Sequence, residues 1–121
     1  MVRLAKASSE GWTRDLAAIE CARRGWRLER TSWFDARAKR THDLFGVFDG
    51  VAFVLPSQRY VPNMIGMSAT IGLQWTSAPN HAARVAKLRQ ADILPCLLRA
   101  GWTVLCWSFR EDGRLREEEV T

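Results

Sequence analysis

The chain has 121 residues, of which 47% are apolar, and its formal net charge is +5. This length and apolar fraction suit a single domain with a core of its own. The three cysteines, Cys21, Cys96 and Cys106, form no CxxC pair, which argues against a disulfide framework and a zinc cage. The first residues lack the apolar segment of a signal peptide, and no apolar run is long enough to cross a bilayer. We therefore expect a soluble, cytoplasmic protein.

The positive charge is unevenly distributed. The stretch "ARAKRTHD" holds Arg37, Lys39, Arg40 and His42, whereas "EEE" at 117–119 makes the tail acidic. A basic domain of this size favours polyanions, and nucleic acid is the commonest of these. The basic stretch is either an ordinary solvated loop or a surface that contacts DNA phosphates.

The first predicted element is a helix that begins near Ser9 or Thr13 and ends at Arg24. Hydroxyl side chains at its start are typical N-caps, and Gly25 is a typical stop signal. The loosely alternating stretch "GWRLERTSWF" at 25–34 predicts a strand that follows the helix.

The middle of the chain predicts a second and a third strand. The stretch "DLFGVFDGVAFVL" at 43–55 is rich in valine and phenylalanine, which indicates a long strand or a hairpin arm. Two prolines and a glycine in 56–69 predict a loop, and "TIGLQWTS" at 70–77 predicts a buried strand. The second and third strands are then expected to pair.

The last third of the chain predicts helix, strand and edge strand. Helical spacing continues from Asn80 to a stop at Gly101, with Pro95 dividing the helix or opening a second one. The run "WTVLCWSF" at 102–109 predicts a buried strand, and a tight turn then leads to a last strand. The order αβββαβ predicts an α/β sandwich with a mixed sheet.

Gln74 is the unexpected residue in the third predicted strand. A buried amide without partners costs about 1–3 kcal/mol, so this side chain either has structural partners or faces a site.

These features together resemble the PD-(D/E)xK nuclease superfamily. The element order, the aspartate in "FDGVAF", the polar residue in "IGLQ" and the following helix resemble archaeal-type Holliday junction resolvases and small phage resolvase-like proteins. The family's metal-binding aspartate falls on Asp49, its second acid on Gly72 and its lysine on Gln74. The resemblance implies a restriction-endonuclease-like core and Mg²⁺- or Mn²⁺-dependent cleavage of branched DNA. It also implies a homodimer and, for a phage protein, the cytoplasm of a bacterial host.

Gly72 supplies no carboxylate, so a second metal ligand must come from elsewhere. Asp43 is the first candidate, because even spacing places it on the same strand face as Asp49. In a regular strand the two residues are about 20 Å apart, so a shared ion requires a bulge or bend at Gly46.

Two acids of the first helix are alternative ligands, since the related nucleases often bring such a residue toward the metal. The spacing to Gly25 favours Asp15 over Glu20 as a catalytic residue. Asp15 is equally well explained as a first-turn acid that complements the helix dipole.

Several polar residues after the third strand are candidate DNA contacts, because they lie where helix N–H groups favour anions. Ser77 can instead cap the helix, and His81 can instead be an ordinary surface residue. The candidates are Thr76, Ser77, Asn80, His81 and Arg84.

The function expected from the resemblance is that of a metal-dependent DNA endonuclease without a small-molecule cofactor or a membrane partner. One alternative is a catalytically inactive nuclease-fold module that binds DNA or inhibits a protein. Another is a structural interaction domain, which a large apolar surface patch would indicate.

Overall fold

The computed structural model describes residues 9–54 and 69–121, with the Phe34 side chain left out. The helices and strands, in chain order, are α1 (Glu10–Arg24), β1 (Arg27–Arg30), β2 (Trp33–Asp35), β3 (Arg40–His42), β4 (Gly50–Val54), β5 (Ala69–Ser77), α2 (His81–Gln90), α3 (Leu94–Arg99), β6 (Thr103–Phe109) and β7 (Leu115–Glu119). A 3₁₀ turn over Ala78–Asn80 leads from β5 into α2.

Five strands form one mixed sheet in the order β1-β4-β5-β6-β7. Three of its strand pairs are antiparallel, and the pair β5–β6 is parallel. A parallel pair requires a crossover, which α2 and α3 supply between these strands. The other two strands, β2 and β3, form a separate antiparallel hairpin.

Helix α1 begins and ends where local signals predict. The side chain of Ser9 accepts a hydrogen bond from the Trp12 N–H, which satisfies one of the free donors of the first turn. At the other end Gly25 has φ 74°, a left-handed conformation that glycine adopts without strain. These caps set the residues at which α1 begins and ends, and so the part of the chain that packs on the sheet as a helix.

The sheet separates two apolar clusters. On one side α1 contributes Trp12, Ala17 and Cys21, which pack with β-strand residues such as Leu73 and Trp107. Helices α2 and α3 cover the other side, where their buried residues pack with Phe48 and Val104. Alternation along β5 therefore directs Leu73 toward α1, and Gly72 and Gln74 toward the opposite face.

The mixed α/β architecture with helices on both sides of the sheet agrees with the sequence prediction. The helix pair divided near Pro95 and the strands at 102–109 and near the end of the described chain are also present. None of the helices in the described part of the chain is long and apolar enough to cross a membrane.

Three predicted elements differ from those observed. The stretch 25–34 is divided between β1 and β2, and much of the predicted basic loop is strand β3. The predicted strand at 43–55 is regular only over Gly50–Val54, because a tight reversal occupies 43–49. The predicted loop at 56–69 falls, up to residue 68, outside the described residues.

Candidate functional site

A tight reversal places two aspartates at one end of the sheet. The N–H of Gly46 donates to the Asp43 carbonyl at 2.8 Å, and Leu44 pairs with Phe48 in an isolated bridge. Phe45 and Gly46 have φ of 55° and 74°, the positive angles required at the centre of such turns. The bend at Gly46 that a shared site requires is therefore present.

The hydroxyl of Ser32 joins the two aspartates. It lies 2.8 Å from Oδ1 of Asp43 and 3.4 Å from Oδ1 of Asp49. Ser32 follows β1, and its neighbour Thr31 donates its N–H to the Asp49 carbonyl at 3.0 Å. This backbone bond extends the β1 pairing by one residue and so positions the Ser32 side chain beside both carboxylates.

Asp49 is held between strands and is largely buried. Its Oδ2 accepts the N–H of Trp75 at 2.8 Å, and its own N–H donates to the Leu73 carbonyl at 2.9 Å. The pKa of the Asp49 carboxyl is raised to about 6, chiefly by burial and also by the charge of Asp43, while the Trp75 N–H and the charge of Arg84 oppose the shift. The carboxylate form of Asp49 is thus less favourable in the folded protein than in water.

The two carboxylates open into a cleft of about 380 Å³. Its other walls are the start of α1 and the segment that joins β5 to α2. The lining residues are Ser9, Glu10, Thr13, Thr41, Asp43, Asp49, Trp75, Thr76, Ser77, Asn80 and Arg84.

A second cleft of about 520 Å³ continues from the first. The two share Glu10, Thr41, Asp49 and Trp75, and we refer to them together as the groove. The second cleft is further lined by Gly11, Arg14, Arg30, Ser32 and Trp33. The groove therefore has acidic side chains in its middle part and arginines toward both ends.

Six of the twelve predicted site residues lie in the groove. Asp43, Asp49 and Arg84 are brought together there, with Thr76, Ser77 and Asn80 at the same end. The Asn80 side-chain amide donates to the Ser77 hydroxyl at 3.2 Å, so these two side chains also support each other.

The acid contributed by α1 is Glu10, and neither of the acids expected from the spacing lines the groove. Asp15 forms an ion pair with Arg14, with 3.7 Å between Oδ1 and Nε. Glu20 binds Arg23 and Arg24 near the other end of the helix. Glu10 lies in the first turn of α1, and the groove opens at that end of the helix.

Phe48 closes the position on which the resemblance to PD-(D/E)xK nucleases placed a second acid. A Cβ placed on Gly72 would lie 2.7 Å from Cε1 of Phe48, closer than real side chains approach. The Phe48 ring is 1% exposed and belongs to the cluster under α2 and α3. A carboxylate at position 72 is thus incompatible with this packing as well as absent from the sequence.

Gln74 is buried beneath α2 and does not line the groove. It is 1% exposed and lies opposite Cys106 in the parallel register. Its Oε1 meets no hydrogen-bond donor within the described residues. Hydrogen bonding of Oε1 to a structural partner therefore does not explain why an amide occupies this buried position.

His81 is enclosed and is not a surface DNA contact. The side chain is buried, with Nδ1 2.7 Å from the Ser108 hydroxyl and Nε2 2.9 Å from Oε1 of Glu118. A carboxylate only accepts, so Nε2 donates to Glu118 and a neutral ring accepts from Ser108. The order of contacts is that of a serine hydrolase triad, but Ser108 is 1% exposed and unavailable to a substrate. These bonds anchor the start of α2 to β6 and β7.

The basic residues expected to contact DNA lie on the β2–β3 hairpin. Arg37, Lys39 and Arg40 are all exposed. The Asp35 carboxylate accepts the N–H groups of Arg37 and Ala38 at 2.9 and 3.3 Å, which fixes the hairpin turn. The hairpin also carries Thr41, a residue of the groove.

Among the groove residues that were not expected from the sequence are Glu10, Ser32, Trp33 and Thr41. The N-cap signal at Ser9 could have indicated Glu10, because it places that acid in the first turn. The positions of the other three residues depend on where the β2–β3 hairpin lies relative to β1, and no local sequence pattern indicates them.

Comparisons with protein-family models, with curated proteins and with solved structures found no match to this chain. Within the described residues no group of three or more His, Cys, Asp or Glu side chains could hold a metal ion. The acidic pair of Asp43 and Asp49 is therefore the feature from which a function is inferred.

Proposed function

We propose that the protein is a metal-dependent DNA phosphodiesterase with a restriction-endonuclease-like core, whose centre is the pair Asp43 and Asp49. The observation that carries the proposal is the shared hydrogen bonding of these carboxylates to Ser32, inside a groove with arginines toward both ends. The order αβββαβ along the sheet and the acid that α1 contributes to the groove support the same family.

The carboxylate pair fits a divalent cation such as Mg²⁺. This ion commonly takes one or two protein carboxylates and completes its shell with water and substrate phosphate oxygens. Asp43 and Asp49 supply such a pair, and a bound cation would offset the burial and the charge of Asp43 that raise the pKa of Asp49. Oxygen donors of this kind suit Mg²⁺ or Mn²⁺ better than a soft metal.

A bound cation would polarise the scissile phosphate and lower the pKa of an attacking water. The chain's own residues orient the substrate: Arg84 and Asn80 line the groove beside the aspartates, where they can bind phosphate oxygens. Glu10 lines the same wall, where it can accept a proton from water. We assign Gln74 to the position of the family lysine, as a neutral residue beneath the site.

The surface charge supports DNA as the substrate class. The net charge of +5 is combined with exposed cations on the β2–β3 hairpin beside the groove. Such cations bind backbone phosphates and release counterions, so binding is expected to weaken steeply as salt rises.

A second candidate function is a catalytically inactive module of the same fold that binds DNA. The packing of Phe48 against Gly72 favours it, because the position of the family's second acid is filled by a ring. Such a module would keep the basic hairpin and the groove but would cleave no substrate.

Cleavage assays separate the two candidates. Branched, duplex and single-stranded DNA of matched sequence are incubated with Mg²⁺ or Mn²⁺ and the wild type, Asp49→Asn or Asp92→Asn. Asp92 is an exposed acid outside the groove and serves as the control. The enzyme is expected to cleave only with metal, to lose cleavage in Asp49→Asn and to keep it in Asp92→Asn. Binding without cleavage in all conditions supports the inactive module, and equal cleavage by wild type and Asp49→Asn overturns the proposed site.

A further inference from the structure

Trp33 is an exposed aromatic side chain at the edge of the groove. It is 59% exposed, the largest exposure among the large apolar side chains of the described chain. Tryptophan contributes much apolar area, and an exposed ring is available to pack against a partner.

The Trp33 ring is held in a fixed orientation by the β2–β3 hairpin. Trp33 lies opposite His42 in the strand register, and the two rings stack with centroids 4.5 Å apart and planes 23° apart. His42 is in turn fixed by Asp35, with 3.3 Å between Nε2 and Oδ2. One face of the indole is therefore covered, and the remaining surface is open and preoriented.

The surroundings of Trp33 match a nucleotide better than an apolar partner. Trp33 follows Ser32, whose hydroxyl contacts both aspartates, and it lines the same cleft as Asp49. The cations Arg14 and Arg30 line this cleft as well. The cleft thus combines an aromatic ring with two arginines, and Trp33 is next in sequence to Ser32, which contacts both aspartates. An aromatic ring beside cations complements a base together with its phosphates.

We propose that Trp33 stacks on an unpaired nucleobase of the DNA whose phosphate lies at the Asp43–Asp49 pair. The inference rests on the proposed function for the position of the phosphate. A base within a continuous duplex is already stacked on its neighbours and cannot present a face to the indole. The substrate class is therefore DNA with an unpaired base beside the bound phosphate, such as a junction, bulge or flap, rather than continuous duplex.

A binding experiment tests this stacking without requiring cleavage. Three DNAs of matched sequence are used in EDTA: a duplex, the same duplex with one unpaired 2-aminopurine, and the single strand. Affinity is measured by anisotropy, and stacking by quenching of the 2-aminopurine emission. The variants are Trp33→Ala, Trp33→Phe and Phe45→Ala, the last of which removes an exposed ring that lines a different cleft.

The wild type is expected to bind the bulged DNA about tenfold more tightly than the duplex and to quench the probe, the scale of one base–aromatic stack. Trp33→Ala should lose both the preference and the quenching while keeping its affinity for duplex. Trp33→Phe should retain most of the preference, and Phe45→Ala should be unchanged. Thermal unfolding of each variant confirms that the hairpin change leaves the fold intact.

Other outcomes contradict specific claims. A preference that survives in Trp33→Ala, or a wild type that binds duplex and bulged DNA equally, overturns the stacking inference even if cleavage occurs. A Trp33-dependent preference without any metal-dependent cleavage leaves the stacking site in place and overturns the enzymatic proposal. Absence of binding to all three DNAs overturns the stacking inference, and the cleavage assays with Mg²⁺ or Mn²⁺ decide the enzymatic proposal separately.

Discussion

Asp43 and Asp49 share the hydroxyl of Ser32, which lies 2.8 Å from one carboxylate and 3.4 Å from the other. A hydroxyl has one hydrogen and can donate it to only one carboxylate at a time. The hydroxyl thus offsets the negative charge of the two carboxylates only in part, which is consistent with the raised pKa of Asp49. Two carboxylates in this arrangement lower the stability of the folded protein, and a bound cation would offset that loss.

Asp49→Asn is expected to stabilise the protein at neutral pH. The asparagine oxygen can still accept the Trp75 N–H, and the amide can donate to Asp43 in place of charge repulsion. A pKa that rises from 3.8 to about 6 corresponds to a destabilisation of about 1–3 kcal/mol when the carboxyl is ionised.

The pH dependence of this effect has a definite sign. The folded protein binds the Asp49 proton more tightly than the unfolded chain, so the wild type loses stability as pH rises from about 4 to 6. The advantage of Asp49→Asn should be small at pH 4 and full at pH 7.5. Urea unfolding of both proteins at the two pH values measures it, and an advantage independent of pH would contradict the assigned cause.

Glu10→Gln is expected to lower the cleavage rate, and Asp15→Asn to leave it unchanged. Glu10 lines the groove beside the aspartates, whereas Asp15 does not line it and is paired with Arg14. Loss of a proton acceptor or water-orienting acid typically costs about 10²-fold or more in rate. Single-turnover cleavage with saturating Mg²⁺ measures it, and the reverse order of effects would favour the assignment from sequence spacing.

The elements of this protein were predictable where the signals are local. The cap at Ser9, the glycine stop at Gly25 and the helix break near Pro95 act on neighbouring residues, and the structure has them there. The β2–β3 hairpin was not predicted, because its turn depends on the Asp35 side chain and on a positive φ at Lys39, which polar sequence does not specify.

The site was predictable only in part. Asp49 was expected from the family resemblance and Asp43 from its even spacing to Asp49, together with the bend at Gly46 that a shared ion requires. The contributions of Ser32 and Trp33 depend on tertiary contacts between segments far apart in the chain. The same is true of Phe48, whose contact with Gly72 crosses from the reversal to β5.

Gly72→Ala is expected to destabilise the fold by about 1–3 kcal/mol, because the added methyl overlaps a fully buried ring. Phe48→Ala alone should cost about 3–5 kcal/mol through the cavity it leaves. If Gly72 and Phe48 are in contact, the double variant should lose less stability than the sum of the two single losses. Chemical denaturation of the four proteins measures the coupling, and strictly additive losses would contradict the contact.

Gln74→Leu is expected to leave stability unchanged or to raise it by up to about 1–2 kcal/mol, since its Oε1 has no donor among the described residues. The cleavage rate is expected to stay near that of the wild type, because the buried Gln74 side chain does not line the groove. Gln90→Leu, at an exposed position of α2, is the control for amide loss. A destabilised Gln74→Leu protein that cleaves at the wild-type rate would identify the amide as purely structural.

The cooperation of Asp43 and Asp49 is tested most directly by a cycle of cleavage rates for the wild type, Asp43→Asn, Asp49→Asn and the double variant. Each is assayed on branched DNA with Mg²⁺ under single-turnover conditions. If one cation is held by both carboxylates, each single change should lower the rate by about 10²-fold or more, and the double variant should be little slower than the slower single variant. A wild type without metal-dependent cleavage, unchanged rates in either single variant, or losses that multiply independently would contradict this account.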